Sequence, residues 1–401
     1  MFDHVTELTH LVVRWVHLIA GIMWVGNSML FNWIDRNLAK REGGNGPGHI
    51  GDIWMVHSGG FYQMEKKSLG PGEMPKALHW FKWQNGITWL SGMSLLVLIF
   101  YMGAKAMMVD PEVSSITPNG AVLLSAVSLP VAFAVYDLAW RSRIGKNVTL
   151  ATIITCADVL VTSWVYFHYL SGRAAYVHVG VLLGTLMTGN VWMVIVPSQR
   201  ELIAATLENR EQDPAKGYQA KQRSVHNNYF TFPLLFIMLS GHFPSTYSHP
   251  KNWLILLILG LGSAGIRWCM NMRFDKPGWL FPAGTIFVSC LGIVYALFAD
   301  KDLLGGGAPK RTTPVAFAEA ADVIHRRCSP CHAAMPTDDT YRTAPNGVMY
   351  DTPEQIIAKA SAIHERAVVL RNMPLANITK ITPEERETLR AWFDQGAKGP
   401  Q

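Results

Sequence analysis

The stretch WLFPAGTIFVSCLGIVYALFA, residues 279–299, contains 21 residues and no charged side chain. An α-helix needs about 20 apolar residues to cross the hydrocarbon core of a bilayer. The Pro and Gly inside the stretch are compatible with this, because neighbouring membrane helices satisfy the backbone groups that they free. The stretch therefore predicts a transmembrane helix.

Apolar runs of similar length precede this one along most of the chain. The whole chain is 49% hydrophobic and only 16% charged, against about 25% charged residues in a typical soluble protein. The sequence therefore predicts an all-α, polytopic membrane bundle over residues 1–300, with about eight spans. The predicted spans lie near residues 8–31, 86–104, 120–140, 149–170, 173–197, 228–243, 252–270 and 279–299.

Lysine and arginine are distributed unevenly among the loops between these runs. If the N-terminus faces outward, the inward loops hold 17 Lys and Arg residues and the outward loops hold 3. Cytoplasmic loops carry the excess of positive charge in membrane proteins. Since eight is an even number of spans, the bias places the C-terminal region outside, in the periplasm of a Gram-negative host. No basic cluster is interleaved with aromatic residues, so we expect no nucleic-acid partner.

Short repeated motifs suggest that the membrane part consists of two similar halves of four spans. Four spans per half would keep both copies in the same orientation, with a pseudo-two-fold axis along the membrane normal. Such short matches also arise by chance in apolar sequence, and both interpretations remain open. The matched motifs are Val16-His17 with Val177-His178, Gly26-Asn27 with Gly189-Asn190, and His79 before Leu90-Ser91-Gly92 with His226 before Leu239-Ser240-Gly241.

A Gly- and Pro-rich linker at residues 301–313 separates the membrane part from a polar region, residues 314–401. This region contains CSPCH at residues 328–332. The Cys-x-x-Cys-His pattern is typical of covalent haem c attachment. Cys328 and Cys331 would form the two thioethers, and His332 would be an axial ligand of the iron. The other interpretations are a chance match or a redox dithiol.

The surroundings of the motif favour a class I cytochrome c domain. A predicted helix at about 315–327 precedes it, and two helix starts follow, each with Thr at the N-cap, Pro next and Gln or Glu at the third position, at Thr352 and Thr382. The sixth iron ligand should be a methionine from a loop. Met373, between the two later helices, is the first choice, while Met349 is the rival and Met335 lies too close to the motif.

Ionisable residues inside membrane spans are costly and are candidates for function. His17 and His178 occupy matching positions in the two suggested halves, and two such imidazoles could ligate a b-type haem. The alternative is that each histidine makes an ordinary interhelical hydrogen bond. The other ionisable residues in the predicted spans include Arg14, Asp137, Asp158 and Arg267.

The inward loop over residues 50–85 is unusually rich in His, Lys and Trp. One interpretation is an interfacial segment, with aromatic belt residues and lysines that reach to headgroups. The other is a pocket for a flat anionic ring, which Trp would stack, Lys would hold and His would deprotonate. The residues predicted for the pocket are His57, His79 and Lys82 as catalytic groups and Trp80, Trp83 and Lys66 as substrate-binding groups.

The combination of HSGGFY at residues 57–62, LHWFKW at residues 78–83 and a C-terminal CSPCH resembles the membrane-bound bacterial cytochrome c urate oxidases, the PuuD-type urate hydroxylases. The resemblance covers essentially the whole chain. It implies oxidation of urate to 5-hydroxyisourate by a multi-pass protein of the bacterial inner membrane. Electrons would pass to the fused haem c and then to a cytochrome c or terminal oxidase of the respiratory chain.

Two other functional classes remain open from the sequence. The first is a non-catalytic electron-transfer cytochrome that takes electrons from quinol or a partner enzyme. The second is a transporter with a fused cytochrome. An inner-face substrate would also lie across about 30 Å of hydrocarbon from an outer haem. Either the substrate reaches the outer half, or a second cofactor such as haem b carries electrons between them.

Overall fold

The computed structural model describes residues 2–39, 48–299, 311–338, 341 and 343–400, and most of them are helical. They form two compact units. The first comprises Met1–Leu95, Val181–Leu235 and Leu261–Phe287, and the second comprises Leu96–Gly180, Phe236–Gly260 and Val288–Gln401. Most of the predicted linker, residues 301–310, lies outside the described residues, so the domain limits at residues 300 and 314 stay predictions.

Eleven α-helices are described before residue 300. A π-helical turn at Leu96–Tyr101 continues α2, and another at Asn190–Ile195 joins α6 to α7. The helices are α1 Phe2–Asn37, α2 Trp83–Leu95, α3 Ala104–Met107, α4 Pro118–Arg141, α5 Val148–Tyr169, α6 Gly172–Gly189, α7 Val196–Leu207, α8 Pro214–Ser240, α9 Pro244–Tyr247, α10 Asn252–Met272 and α11 Leu280–Ala299.

Within the described residues, six helices are long and apolar enough to cross a membrane, so the prediction of eight spans is wrong as a count. The expected second span is divided between α2, with 13 residues, and the π-helical turn that follows it. The expected sixth span is only the apolar end of α8, whose first half is polar. The six are Val5–Asn37, Pro118–Arg141, Val148–Tyr169, Gly172–Leu207, Asn252–Met272 and Leu280–Ala299.

Burial distinguishes these spans from one another. Of the most apolar window in each helix, 56% is buried in Gly172–Leu207 but only 6% in Val5–Asn37. The exposed positions carry large apolar side chains such as Leu11 and Val161, and apolar surface of this extent is stable only when lipid or protein covers it. The chain is therefore a multi-pass membrane protein, and Gly172–Leu207 is its most enclosed span.

The loop after α1 folds into a β-hairpin that the all-α prediction missed. Strand β1, His49–His57, pairs antiparallel with β2, Gly60–Lys67. The two turn residues, Ser58 and Gly59, have φ of 49° and 76°, which is the backbone of the type I′ turn that matches the twist of a hairpin. The Ser-Gly-Gly sequence at this point was a turn signal that could have predicted it.

The polar C-terminal region contains four α-helices among its described residues: α12 Phe317–Arg327, α13 Pro353–Ala358, α14 Ala360–Ile363 and α15 Pro383–Asp394. Both predicted helix starts are confirmed, because Thr352 and Thr382 each form a complete capping box with the residue three positions later. The helices enclose an apolar core that includes Ile324, Ile356, Leu389 and Trp392. In this core α12 and α15 meet, with the Phe317 and Trp392 rings 6.3 Å apart.

Candidate functional site

His17 is held between α1 and α2 in the first unit. Its Nδ1 lies 2.9 Å from the backbone oxygen of Thr88 and 3.1 Å from the Ser91 hydroxyl. A Cβ at Gly92 would stand only 3.0 Å from His17 Cε1, so a larger residue there would displace the ring. A hydrogen bond to a carbonyl oxygen places the proton on Nδ1, which leaves Nε2 with a free lone pair.

His178 is fully buried in the second unit, on the most enclosed span. Its Nδ1 lies 2.7 Å from the backbone oxygen of Ala174, and its Nε2 has no hydrogen-bond partner among the described residues. The rings of Phe100 and Tyr166 pack edge-on against it. Metal-ligating histidines characteristically donate their other ring N–H in this way. Because the two histidines belong to different units, their pairing and the duplication behind it stay predictions.

Three of the predicted loop residues lie together. The Lys82 ammonium lies 4.8 Å from the centre of the Trp80 ring and 5.8 Å from that of Trp83. Trp192, which no sequence signal singled out, completes the group at 5.7 Å from Lys82 and 5.3 Å from the Trp83 ring. A cation within about 6 Å of a ring face is attracted by its quadrupole. The group therefore places a positive charge beside three indole rings.

The other three predicted loop residues make separate contacts, and among the described residues none of them forms a hydrogen bond or an ion pair with a member of the Lys82 group. His57 lies at the hairpin turn, where its Nδ1 forms a 2.8 Å hydrogen bond with the Ser58 hydroxyl. Lys66 pairs with Asp35 at the end of α1, with 2.6 Å between Nζ and Oδ1. His79 is exposed in the segment before α2. Their catalytic and binding roles stay predictions.

A buried amide and guanidinium network lies in the first unit, and sequence reasoning missed most of it. Asn190 begins the π-helical turn between α6 and α7, and π-helical turns are frequent at functional sites. Its Nδ2 donates to Asn227 Oδ1 at 2.8 Å, and its Oδ1 accepts from Arg223 at 3.3 Å. Asn227 also donates to the Met187 carbonyl at 3.0 Å. The sequence signal that could have revealed these contacts was the presence of several amide side chains inside apolar runs.

A second set of buried polar groups joins α2 to α6. Asn85 Nδ2 donates to the Thr188 hydroxyl at 3.1 Å, and the Trp89 indole donates to Thr185 at 3.2 Å. The carbonyl oxygen of Asn85 is buried without a partner among the described residues. An orphaned acceptor of this kind costs about 1–3 kcal/mol, so it is a natural contact for an N–H group of a bound molecule.

A third set joins α8 to α10. Arg267 Nε and Asn271 Nδ2 both donate to the side-chain oxygen of Asn228, at 3.0 and 2.9 Å. All three side chains are buried. The first unit therefore contains a guanidinium, several amides and a lysine among aromatic rings, which are the groups that bind a planar molecule with alternating donors and acceptors.

The cysteine motif of the C-terminal region lies between α12 and a loop that contacts its histidine. His332 Nδ1 lies 3.0 Å from the Val348 carbonyl oxygen, and the Tyr350 ring is tilted against the imidazole at 5.4 Å. This arrangement again leaves Nε2 with a free lone pair. Cys328 and Cys331 are one and four residues after the end of α12. The described chain contains no cluster of three or more His, Cys, Asp or Glu that could hold a metal ion, but a haem iron needs only two protein ligands.

A buried arginine fixes the loop that carries Met373. Arg386 is 4% exposed and donates to the Ala367 and Met373 carbonyls, the latter at 2.9 Å.

The other terminal nitrogen of Arg386 lies 3.8 Å from Glu112, which also accepts from Asn377 at 2.6 Å. Burial raises the pKa of Asp110 in the same loop between α3 and α4. The C-terminal helices therefore contact this loop within the second unit.

Comparison with known proteins gives one match. The model of a family described as Urate oxidase N-terminal matches residues 3–297. No curated protein and no solved structure matches the chain. The matched residues include the hairpin, the three sets of buried polar side chains and all but the last two residues of the six described spans.

Proposed function

The chain belongs to the Urate oxidase N-terminal family, and we propose that it oxidises urate to 5-hydroxyisourate in its membrane part and passes the electrons to a haem c in its C-terminal domain. Membership of the family supports an oxidoreductase that acts on urate. The observation that carries the proposal is the three sets of buried Arg, Asn and Thr side chains inside the matched residues. Buried polar groups are costly in a membrane protein and mark functional sites.

The chemistry needs three services from the protein. Urate is a planar anion at neutral pH, and its oxidation to 5-hydroxyisourate removes two electrons and two protons and adds one water. The site must hold the anion, take up protons and provide an exit for electrons. Lys82 between Trp80 and Trp83 would hold the charge and stack the ring, and the imidazole of His79 or His57 would take up a proton. Lys66 would assist at the rim, although it pairs with Asp35.

The C-terminal region has the side chains that one covalent haem c requires. Cys328 and Cys331 would carry the thioethers, and His332 and Met373 would be the axial ligands. The hydrogen bond between His332 and the Val348 carbonyl, and the anchoring of the Met373 loop by Arg386, support this assignment. When bound, the haem would supply one-electron acceptance at a potential that Met ligation raises.

An electron that leaves a membrane-embedded site needs a route to this domain. We propose His17 and His178 as ligands of a second, non-covalent haem b that shortens the distance. The two imidazoles have the same hydrogen-bond arrangement, because each donates from Nδ1 to a backbone carbonyl. This shared arrangement supports the assignment. The final acceptor would be a soluble or membrane cytochrome c or a terminal oxidase.

We further propose that the protein lies in the bacterial inner membrane with the C-terminal domain in the periplasm. If α2 and its π-helical continuation, residues 83–101, also cross the membrane, residues 102–117 form a separate loop, which Asn377 and Arg386 contact and which contains a single Lys and no Arg. Loops with few positive residues face away from the cytoplasm. The loop and the domain that contacts it would therefore face the periplasm together.

The alternative is a non-catalytic membrane cytochrome that moves electrons from quinol or a partner enzyme to cytochrome c. The fused CSPCH motif is compatible with both functions. The test is reduction of the haem of the purified, oxidised protein, followed by absorbance in the α band. Urate as the only donor should reduce it at a rate that saturates with urate concentration. Reduction by a quinol but not by urate would favour the alternative.

A further inference from the structure

Arg267 is a buried cation that has no acidic partner among the described residues. Its side chain lies on α10, five residues before the end of the helix, and the residue is 5% exposed. Its Nε donates to Asn228 Oδ1 at 3.0 Å, and its guanidinium carbon lies 5.4 Å from the centre of the Phe232 ring. Within the described chain, no carboxylate contacts it.

Two other cations, Arg36 and Arg273, act on Arg267 and make its burial more costly. Arg36 has its own acidic neighbour, Asp275, at 3.6 Å, whereas Arg267 has none in the described chain. Removing a charge from water costs several kcal/mol unless an opposite charge or strong hydrogen bonds compensate. A buried guanidinium on a membrane-spanning helix, with one hydrogen bond and no carboxylate partner among the described residues, therefore indicates an anionic ligand.

The neighbours of Arg267 define the chemistry of that ligand. The oxygen of Asn228 accepts from both Arg267 Nε and Asn271 Nδ2, so both of its lone pairs are used. Among the described residues, the terminal nitrogens of Arg267 and Nδ2 of Asn228 make no hydrogen bond. All of these groups are hydrogen-bond donors. A cluster that has only donors and a positive charge fits a ligand edge that has acceptor atoms and a negative charge.

We propose that Arg267 and Asn228, positioned by Asn271, form a second anion-binding group of the substrate site besides Lys82 and hold the oxygen-bearing edge of the urate anion. This inference rests on the proposed function. A guanidinium offers two parallel N–H groups in one plane, which matches a flat anion better than an ammonium does. Because Arg267 is buried, its attraction for an anion is weakened by water far less than that of a surface lysine.

The test uses the purified haem-loaded protein with Arg267→Met, Arg267→Lys and, as a matched control, Arg273→Gln. Arg273 is one of the two cations that act on Arg267, but it is less buried, and its guanidinium carbon lies 4.6 Å from the centre of the Phe274 ring. Urate-driven haem reduction gives KM, and thermal unfolding with and without urate gives an independent measure of binding. Arg267→Met should raise KM at least tenfold, which is about 1.4 kcal/mol, and should abolish stabilisation by urate. The KM of Arg267→Lys should lie between those of the wild type and Arg267→Met. The KM of Arg273→Gln should stay within twofold of the wild-type value.

A further result would support the inference without any turnover. Removal of an uncompensated buried charge should leave the urate-free unfolding temperature of Arg267→Met equal to or above that of the wild type. A KM within twofold of the wild type in Arg267→Met would overturn the inference but leave the proposed function intact. Loss of a non-covalent haem with unchanged KM would also overturn it, because the anion would then be a haem propionate. If urate neither reduces the haem of the wild type nor raises its unfolding temperature, both the proposed function and this inference are wrong.

Discussion

The imidazole of His332 donates from Nδ1 to the backbone carbonyl of Val348 across 3.0 Å. The bond fixes the ring so that Nε2 is the nitrogen with a free lone pair. His17 and His178 have the same arrangement, with the carbonyls of Thr88 and Ala174 as acceptors. Three histidines are therefore oriented as metal-binding histidines are.

Met373→Ala should remove the sixth ligand of the covalent haem. The weak near-infrared band of Fe–S(Met) ligation should disappear, and the reduction potential should fall because thioether ligation favours the reduced iron. Optical spectroscopy and a redox titration of the purified protein check this. Met349→Ala is the control and should change neither. A band that survives in Met373→Ala but disappears in Met349→Ala would give the ligand role to Met349.

The protein should contain two haems, one covalent and one extractable. Acidified acetone should release one b-type haem per chain, and His17→Ala or His178→Ala should each reduce that yield by more than half, because a haem held by one ligand is lost more readily. The covalent haem serves as the internal standard in the pyridine haemochrome assay. One covalent haem per chain with nothing extractable would disprove the second site.

His79→Ala and Lys82→Ala should each lower urate-driven haem reduction at least tenfold, a barrier increase of about 1.4 kcal/mol. Haem content and yield should stay near those of the wild type. Lys76→Ala, which removes an exposed lysine of the same segment, is the matched control and should retain full activity. If the two variants turn over urate normally but express poorly, Lys82 and His79 are interfacial anchors instead.

Glu112→Ala should loosen the contact between the C-terminal helices and the loop before α4. The substitution removes one of the two acceptors of Asn377 Nδ2 and a carboxylate that lies 3.8 Å from the buried Arg386. The expected loss is about 1 kcal/mol, visible as a lower unfolding temperature of the haem-containing region. Glu365→Ala, at an exposed position of the same region, should leave that temperature unchanged. Equal unfolding temperatures of the two variants would argue against the contact between the C-terminal helices and this loop.

A C-terminal alkaline phosphatase fusion should be active, because that enzyme folds only outside the cytoplasm, where its disulfides form. The physical basis is the scarcity of Lys and Arg in the loop that the C-terminal helices contact. A cytoplasmic reporter fused at the same position should be inactive. An active cytoplasmic reporter would place the C-terminal domain on the inner side.

Local sequence signals determine much of this fold. An apolar run such as residues 279–299 predicts its own helix, since spanning a bilayer depends on length and composition alone. Thr352 and Thr382 predict their helix starts because a capping box is complete within four residues. The cysteine motif at residues 328–332 is equally local. These features do not depend on the contacts that the rest of the chain makes.

Only the tertiary structure decided which polar groups meet. Asn190 reaches Asn227 and Arg267 reaches Asn228, in each case across more than 30 residues of sequence, and no local pattern specifies such pairs. Whether Lys66 is free or paired likewise depended on where α1 ends, beside Asp35. The span count also depended on the structure, because α2 has only 13 residues before its π-helical continuation and only the end of α8 is apolar. A local sequence limits what each segment can become, while contacts between distant segments decide which charges are buried and what they bind.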